Sequence, residues 1–425
     1  MSNPFPPPDY IRTESTIPGI EVWMPKPPDE KHQEVVEFRC PQCDASKAYS
    51  ADDGGLTCSF CGYYEAPQVD LVGKGAEEFE FTVETMERAT QGWGAERKEL
   101  VCGRCDAHTT VPTDSLTHTC PFCHSNQVVQ VKAPQDVLRP RFIVPFKMDS
   151  EMVRGNTAAW MGSSWMLPAN LQRLAHSADF TPIYISAWTF DAKTSASWKA
   201  EVAHTKTKTT GFGKNRRTRT YTEWRWESGR ANQEFDDLMV NGASNISETL
   251  LSRVHRFDLR ELVEYSPSYL AGVQAQAYDV SLDDAWQQAR QAMRERTKKA
   301  CKSQATSQRM RNFSMNMNFN EENWRYILLP LYIAVYRYNH KPYQILANGQ
   351  NGEVTGQRPV DWRRIILAVG GALMPALFLG LVAAFLLASG NESGNLAFFI
   401  TFFLVALALI FGGIALNQAM KMDDI

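Results

Sequence analysis

The chain has 425 residues, nine cysteines and a formal net charge of −3. This length allows two or three domains, and one compact unit is not expected. A charge this close to neutral excludes a uniformly basic surface, so any binding to nucleic acid or anionic lipid must come from a local patch.

Residues 1–35 are predicted to form a proline-rich disordered tail, because their apolar content is too low to offset the entropy lost on ordering. The first ten residues lack a charged region followed by an apolar one, so they do not resemble a secretory signal. We therefore expect the soluble part in the cytoplasm. Cysteines stay reduced there, which favours metal sites over disulfides.

Eight of the nine cysteines form an internal repeat. Two Cys-x-x-Cys pairs, separated by 14 residues, recur after an offset of 62 residues. Each pair supplies two thiolates, and two pairs complete a tetrahedral zinc shell. The repeat predicts zinc ribbon 1 at residues 36–66, a linker at 67–98 and zinc ribbon 2 at 99–132, with one structural zinc ion each. The predicted ligands are Cys40, Cys43, Cys58, Cys61, Cys102, Cys105, Cys120 and Cys123.

Four thiolates per metal leave no position for water, so a hydrolytic centre is disfavoured and the metal is expected to stabilise folding. The spacing leaves iron and two disulfides per ribbon open as alternatives. Redox-active pairs are disfavoured, because such chemistry usually needs one low-pKa pair. His108, His118 and His124 are interpreted as surface residues beside the second site, and Cys301 as a thiol without a role.

Residues 137–360 are predicted to form an α+β domain rich in antiparallel strands. Apolar runs of strand length include Phe142–Phe146, Ile183–Phe190 and Trp324–Tyr338, the last followed by a turn and a return strand. A helix is predicted from Ser281, whose hydroxyl can cap its first turn. One face of this helix carries Leu282, Ala285, Trp286, Ala289 and Met293. In the linker, Phe79 and Phe81 indicate a short strand, and residues 82–90 one or two helical turns.

Two uncharged segments follow, residues 365–388 and 396–416, each long enough to cross about 30 Å of hydrocarbon. Seven polar residues separate them, which predicts a transmembrane helical hairpin. Arg358, Arg363 and Arg364 precede the first segment, Lys421 follows the second, and the linker carries no Lys or Arg. The positive-inside rule then predicts a multi-pass protein of the bacterial inner membrane with both termini and the soluble domains in the cytoplasm. A hairpin buried in a protein core is the alternative.

A basic segment from Lys206 to Arg225 is predicted to form a long β-hairpin with aromatic residues after its tip. It can bind nucleic acid, lie on anionic headgroups or contact a protein, or it can be a solvated hairpin whose charge prevents aggregation. The candidate binding residues are Lys206, Lys208, Lys214, Arg216, Arg217 and Arg219.

No catalytic motif is present in the sequence: it contains no phosphate loop, nucleophile elbow or His-Glu-x-x-His segment. Two pairs of carboxylates, Asp236–Asp237 and Asp283–Asp284, are not part of a known catalytic motif. The second pair fits the first turn of a helix, where acidic residues are favourable. We therefore expect no enzyme activity.

In these residues and segments, the chain resembles a YdjG-like bacterial family of membrane-anchored double zinc ribbon proteins. The resemblance covers both ribbons, the segment Ile185–Asp191, the segment Tyr332–Tyr338 followed by Lys341–Gln344, the segment Asn348–Pro359 and the terminal pair of apolar segments. Family members are often labelled primosomal protein N′-like or replication-restart helicase-like. This chain has no nucleotide-binding motif to support the helicase label. The proline-rich tail lies outside the pattern.

The resemblance implies a non-enzymatic scaffold associated with envelope stress, with phage-shock-protein-A-like or flotillin-like partners. The resemblance implies that the eight ribbon cysteines are metal ligands, and it identifies no partner-binding residue. The leading hypothesis is a membrane-anchored adaptor that recruits cytosolic proteins; the alternative is a membrane-tethered nucleic-acid binder. A channel subunit is disfavoured because the spans carry no charge, although Gly380 and Ala384 can pack helices into a homo-oligomer.

Overall fold

The architecture is mixed α+β, as predicted, with long antiparallel strands at its centre. The computed structural model describes residues 10–13, 22–25, 38–67, 71–73, 79–80, 97–105, 107–112, 120–123, 125–132, 138, 140–176, 178–210, 217–243, 246, 248–254, 256–339, 341–389 and 393–423.

The unit Met1–Glu37 contains an antiparallel pair, β1 (Tyr10–Thr13) and β2 (Val22–Pro25). This pair lies inside the tail predicted to be disordered. The two segments read Tyr-Ile-Arg-Thr and Val-Trp-Met-Pro. Their aromatic and β-branched residues favour strands, which accounts for local order in a segment of low overall apolar content.

Residues Phe38–Ile425 form the second unit. Its first part contains a three-stranded antiparallel sheet of β3 (Lys47–Ser50), β4 (Gly55–Cys58) and β5 (Tyr64–Glu65). The short strand β6 (Phe79–Glu80) pairs with a later strand at Trp324, in agreement with the strand predicted near Phe79. The predicted helical turns at 82–90 lie outside the described residues. Three more strands follow: β7 (Arg97–Cys102), β8 (His108–Pro112) and β9 (Val128–Lys132).

The remaining elements build the central sheet and its helices. In chain order they are β10 (Phe142–Ile143), α1 (Ser150–Met161), α2 (Leu171–His176), β11 (Thr181–Thr210), β12 (Arg217–Asn241), α3 (Glu248–Val254), β13 (Val263–Glu264), β14 (Gln274–Ala275), α4 (Leu282–Ser303), β15 (Met310–Tyr338), β16 (Lys341–Asn348), β17 (Val354–Gly356), α5 (Trp362–Ala388) and α6 (Ser393–Asp423).

The central sheet is buried on both faces where β11 and β15 pair. From Ile183 to Ala192 every residue of β11 is buried. Tyr184 and Trp188 pack into a cluster on one face, and Ile183 and Ile185 into a second cluster on the other. A strand covered on both faces reads as a continuous apolar run, which is why this segment was predictable from the sequence.

Beyond Ala192 the strands continue as a three-stranded extension of β11, β12 and β15. Here residues of β11 alternate between buried and exposed, since only one face is covered. Helix α4 covers that face; Ser281 caps it by accepting from the Asp284 backbone N–H at 3.1 Å. Its predicted apolar face, including Trp286 and Met293, is buried, which confirms this helix.

Candidate metal centres

The first group of cysteines joins the two pairs of the first ribbon. The Sγ atoms of Cys40 and Cys61 lie 3.5 Å apart, as do those of Cys43 and Cys58. All four sulfurs lie within 4.8 Å of one another. Four sulfurs at about 2.3 Å from a tetrahedral zinc ion are about 3.8 Å apart. A disulfide requires about 2.05 Å. The arrangement therefore fits a metal ion and does not fit paired disulfides.

The second group repeats this geometry. Cys102 and Cys123 lie 3.6 Å apart, and so do Cys105 and Cys120. In both groups the first cysteine contacts the last, and the second contacts the third. The predicted duplication is thus present in three dimensions, and the two groups suggest two zinc sites. Sulfur geometry of this kind suits iron as well as zinc.

The same backbone turn presents the sulfurs in all four Cys-x-x-Cys segments. The N–H of each leading cysteine donates to the carbonyl five residues later: Cys40 to Ala45, Cys58 to Tyr63, Cys102 to Ala107 and Cys120 to Ser125, at 2.7 to 3.0 Å. In the first ribbon the turns include Asp44 and Gly62, with φ of 57° and 74°. Left-handed residues are well tolerated when they are glycine or aspartate.

Backbone N–H groups of these turns favour the thiolate form. Those of Cys61 and Phe60 lower the pKa of Cys58 to about 6. For Cys102, burial opposes ionisation, but the N–H groups of Cys105 and Arg104 outweigh it and lower the pKa to about 7. Because metals bind the thiolate, turns that stabilise it also prepare the site for metal.

The histidine beside the second site has a partner other than the sulfurs. His108 Nδ1 lies 2.8 Å from Glu99 Oε1 across neighbouring strands. This agrees with its interpretation as a residue not needed for ligation. His118 and His124 lie outside the described residues. Cys301 is buried, with its Sγ 3.8 Å from the Met315 Sδ, at a distance in sequence from both groups.

The two ribbons pack on opposite faces of the central sheet. Tyr49 and Leu56 of the first ribbon join the apolar cluster of one face, whereas Ala107 and Phe122 of the second join that of the other. The second ribbon also extends the sheet itself, because Thr110 of β8 pairs with Ala275 of β14 and donates to its carbonyl at 2.7 Å. Both candidate metal sites are therefore attached to the α+β domain by packed apolar contacts.

Two equivalent phenylalanines of the duplicated segments differ in their exposure to solvent. Phe60 and Phe122 both occupy the third position of a Cys-x-x-Cys pair, the second pair of each ribbon. Phe122 is 5% exposed and packs in the core, with its carbonyl accepting from Gln344 Nε2 at 3.4 Å. Phe60 is 86% exposed. The two residues cannot be told apart by their place in the repeat, since the difference depends on what each ribbon contacts.

Helices α5 and α6 can cross a membrane by length and composition. In the most apolar stretch of each helix, only 11% of the residues of α5 and 17% of those of α6 are buried. This disagrees with the alternative of a hairpin enclosed in a protein core. Both helices extend past the predicted segments, 365–388 and 396–416, into charged residues at the ends away from the linker.

The predicted basic hairpin is formed by β11 and β12 and is longer than the sequence indicated. Lys206 pairs with Glu223 at 2.7 Å, whereas Lys208 lies directly across from Arg219 and both are exposed. Arg217 begins β12. Lys214 and Arg216 lie outside the described residues. Of the described basic candidates, Lys206 is thus compensated by an acidic neighbour, whereas Lys208 faces another basic residue.

A third group of acidic residues lies at a bulge between β11 and β12, formed by Asp191, Asp236 and Asp237. Arg325, 1% exposed, donates to Asp237 at 2.9 Å and to Asp191 at 3.4 Å. Of the paired carboxylates noticed in the sequence, Asp237 therefore belongs to a buried ion-pair network, whereas Asp236 is exposed. Sequence spacing alone does not reveal Arg325, because it lies 88 residues away from Asp237.

Comparison with known proteins gives one distant relative. Over 363 residues the chain is 20% identical to the uncharacterised protein YdjG of Bacillus subtilis strain 168, and the alignment covers 84% of this chain and 99% of YdjG. No family model matches the chain, and no solved structure matches it. The cysteine groups and the apolar helices fit a membrane-anchored zinc-binding protein.

Proposed function

We propose that the chain is a non-enzymatic adaptor that recruits a cytosolic protein to the bacterial plasma membrane. On this proposal α5 and α6 hold it in the bilayer, and the metal ions stabilise two ribbons that serve as packing and docking modules. Four thiolates per site leave no open coordination position, which supports a structural role for the metal.

The contrast between Phe60 and Phe122 carries this proposal. In the second ribbon, the phenylalanine of the duplicated segment is buried against the chain's own domain. The equivalent side chain of the first ribbon is exposed to solvent in a turn that is closed by the bond from the Cys58 N–H to the Tyr63 carbonyl. A large apolar side chain held in this way loses little entropy on binding, and aromatic residues dominate binding hot spots. Phe60 is therefore the residue proposed to dock a partner.

Other exposed residues of the first ribbon indicate what kind of partner would bind. Tyr64 of the same ribbon is 47% exposed and adds apolar surface, while Asp44 and Glu65 are exposed acidic residues, ion-paired with Arg39 and Lys47 respectively. This surface fits a protein with an apolar pocket and a polar rim. The resemblance to membrane-anchored double zinc ribbon proteins adds the finer proposal that the partner is phage-shock-protein-A-like or flotillin-like and that the system responds to envelope stress.

The experiment compares Phe60→Ser with Trp226→Ser in the full chain, purified in mild detergent from its native host. Trp226 is a matched control, because it is 60% exposed on the β12 hairpin and distant in sequence from the ribbons. Elemental mass spectrometry counts the metal in each sample. We expect a stoichiometric protein partner with the parent chain and with Trp226→Ser, and its loss with Phe60→Ser at unchanged metal content. A partner retained by Phe60→Ser would contradict the role of this residue, and no stoichiometric protein in any sample would contradict the adaptor function.

The second candidate function is nucleic-acid binding through the basic hairpin. Its support is the direct cross-strand placement of Lys208 and Arg219, since like charges opposite each other destabilise a strand pair unless an anion compensates. Phosphate binding weakens steeply with salt, whereas an apolar interface does not. Nucleic acid that co-purifies at low salt, and is lost with Arg216, Arg217 and Arg219 changed to Glu, would favour this function over the adaptor.

A further inference from the structure

The loop between α1 and α2, Gly162–Asn170, packs against the base of the apolar helix pair. Met166 is 3% exposed and contacts a cluster that contains Ile365 of α5 and Ala415 of α6. Its carbonyl accepts from the Asp361 backbone N–H at 2.8 Å. The loop therefore holds both helices at their ends nearest the α+β domain.

Two arginines fix the loop in this position. Arg364 donates to the Leu167 carbonyl at 3.0 Å, and Arg358 donates to the Trp160 carbonyl at 2.9 Å and to the Ser163 hydroxyl at 3.0 Å. The Arg358 guanidinium also lies 4.3 Å from the centre of the Trp160 ring. Charge-assisted bonds of this kind give a loop a defined placement rather than a mobile one.

Trp165 lies at the tip of this loop and stacks on a residue of the second apolar helix. Its ring is 6.4 Å from that of Phe411, with an angle of 14° between the planes, yet 45% of Trp165 remains exposed. The residue after Phe411, Gly412, packs against Val369. Val369 is five residues after Arg364, so this level is about 7.5 Å, or more than one helical turn, beyond the last arginine.

We propose that Trp165 inserts into the headgroup boundary of the bilayer and forms a third membrane contact beside the two helices. The occupant is lipid, because the partly exposed Trp165 stacks on Phe411, itself 40% exposed on the apolar helix α6, at a level more than one helical turn past Arg363 and Arg364. Tryptophan is enriched at this depth, where its apolar ring and N–H are both accommodated. The contact fixes the α+β domain on the membrane surface. This inference rests on the proposed membrane anchoring of α5 and α6.

The test places a photoreactive benzoylphenylalanine at one position at a time in the full chain, reconstituted in vesicles of phosphatidylethanolamine and phosphatidylglycerol. Position 165 is compared with 398 and 226. Phe398, 58% exposed on α6, reports on the anchor, and Trp226 reports on an aromatic residue of the soluble part. After irradiation, mass spectrometry of the peptides counts lipid adducts. We expect at least about tenfold more adduct at 165 and at 398 than at 226.

Each other outcome is decisive. Adducts at 398 alone would overturn the inference and leave the anchor intact, and adducts at none of the positions would overturn both. Adducts of 165 with protein would replace lipid by a protein occupant and overturn the inference. A second measurement avoids any loss of folding: brominated phosphatidylcholine should quench less of the tryptophan fluorescence in Trp165→Phe than in the parent chain. The matched variant Trp226→Phe should not reduce the quenchable share, and equal quenching in the parent chain and Trp165→Phe would count against the inference.

Discussion

Arg325 donates to Asp237 at 2.9 Å in a site where the arginine is 1% exposed and the aspartate has a left-handed backbone, with φ of 56°. Asp237 lies at the bulge between β11 and β12, where the register of the strands shifts. One guanidinium thus joins β15 to the point at which the long hairpin bends. The same guanidinium also reaches Asp191.

Replacing Arg325 by Met should destabilise the chain by about 3–5 kcal/mol, because removal of one partner leaves buried carboxylates without their countercharge. The measurement is urea unfolding of the full chain in detergent, with Arg219→Met as the control. Arg219 is exposed, so its loss should change the free energy of unfolding by less than about 0.5 kcal/mol. Equal effects of the two substitutions would show that the buried network has no special role in stability.

Phe122→Ala and Phe60→Ala should differ sharply in stability although both residues have the same place in the repeat. We expect Phe122→Ala to cost about 3–5 kcal/mol, because it leaves a cavity in a packed cluster. Phe60→Ala should change stability by less than about 0.5 kcal/mol, because the side chain is exposed. Thermal unfolding of the two variants checks this, and a large loss with Phe60→Ala would assign that residue to the core rather than to a docking surface.

Cys58→Ser should halve the metal content, from two ions per chain to one, because it removes one of four ligands from one group only. Cys301→Ser is the matched control: this thiol is buried but belongs to neither group, and both ions should stay bound. Elemental mass spectrometry of the purified variants gives the count. Full metal content in Cys58→Ser would remove the case for a four-cysteine site, and the identity of the metal separates zinc from iron.

Metal affinity of the first site should fall as the pH falls. The Cys58 pKa is lowered to about 6, so this thiol is largely ionised at pH 7. For Cys43, the Ala45 N–H favours the thiolate, but burial and neighbouring thiols outweigh it and raise the pKa to about 12. The pKa of Cys61 is raised as well. These two thiols must lose protons when metal binds, so affinity should rise by about a hundredfold from pH 7 to pH 8. Chelator competition at both pH values measures this, and a pH-independent affinity would exclude thiolate ligation.

The membrane orientation predicts the behaviour of reporter fusions. Arg358 precedes α5, Arg363 and Arg364 lie in its first turn, and the described part of the connection to α6 carries no basic residue, so the connection should lie outside the cytoplasm. A phosphatase that is active only outside the cytoplasm should be active when fused after Ser389 and inactive when fused after Ile425. The reverse pattern would invert the topology, and inactivity at both positions would indicate that α5 does not cross the membrane.

The sequence by itself determined the parts of this protein that depend on local spacing. The four Cys-x-x-Cys pairs, the capped helix from Ser281 and the two uncharged segments were predictable because thiolate geometry, helix period and bilayer thickness act over short stretches of chain. The apolar run Ile183–Phe190 was predictable for the same reason, although the full length of β11 was not. Beyond Ala192 its alternating pattern depends on which face α4 covers.

Only the tertiary structure decided which residues of the repeat are buried and which are presented. Phe60 and Phe122 are equivalent in sequence, but the ribbons pack on opposite faces of the sheet and only Phe122 meets an apolar cluster. Arg325 donates a hydrogen bond to Asp237, 88 residues away in the sequence. Trp165 stacks on Phe411, 246 residues away. Contacts over such separations follow from how complete elements pack against each other, which no local pattern of residues encodes.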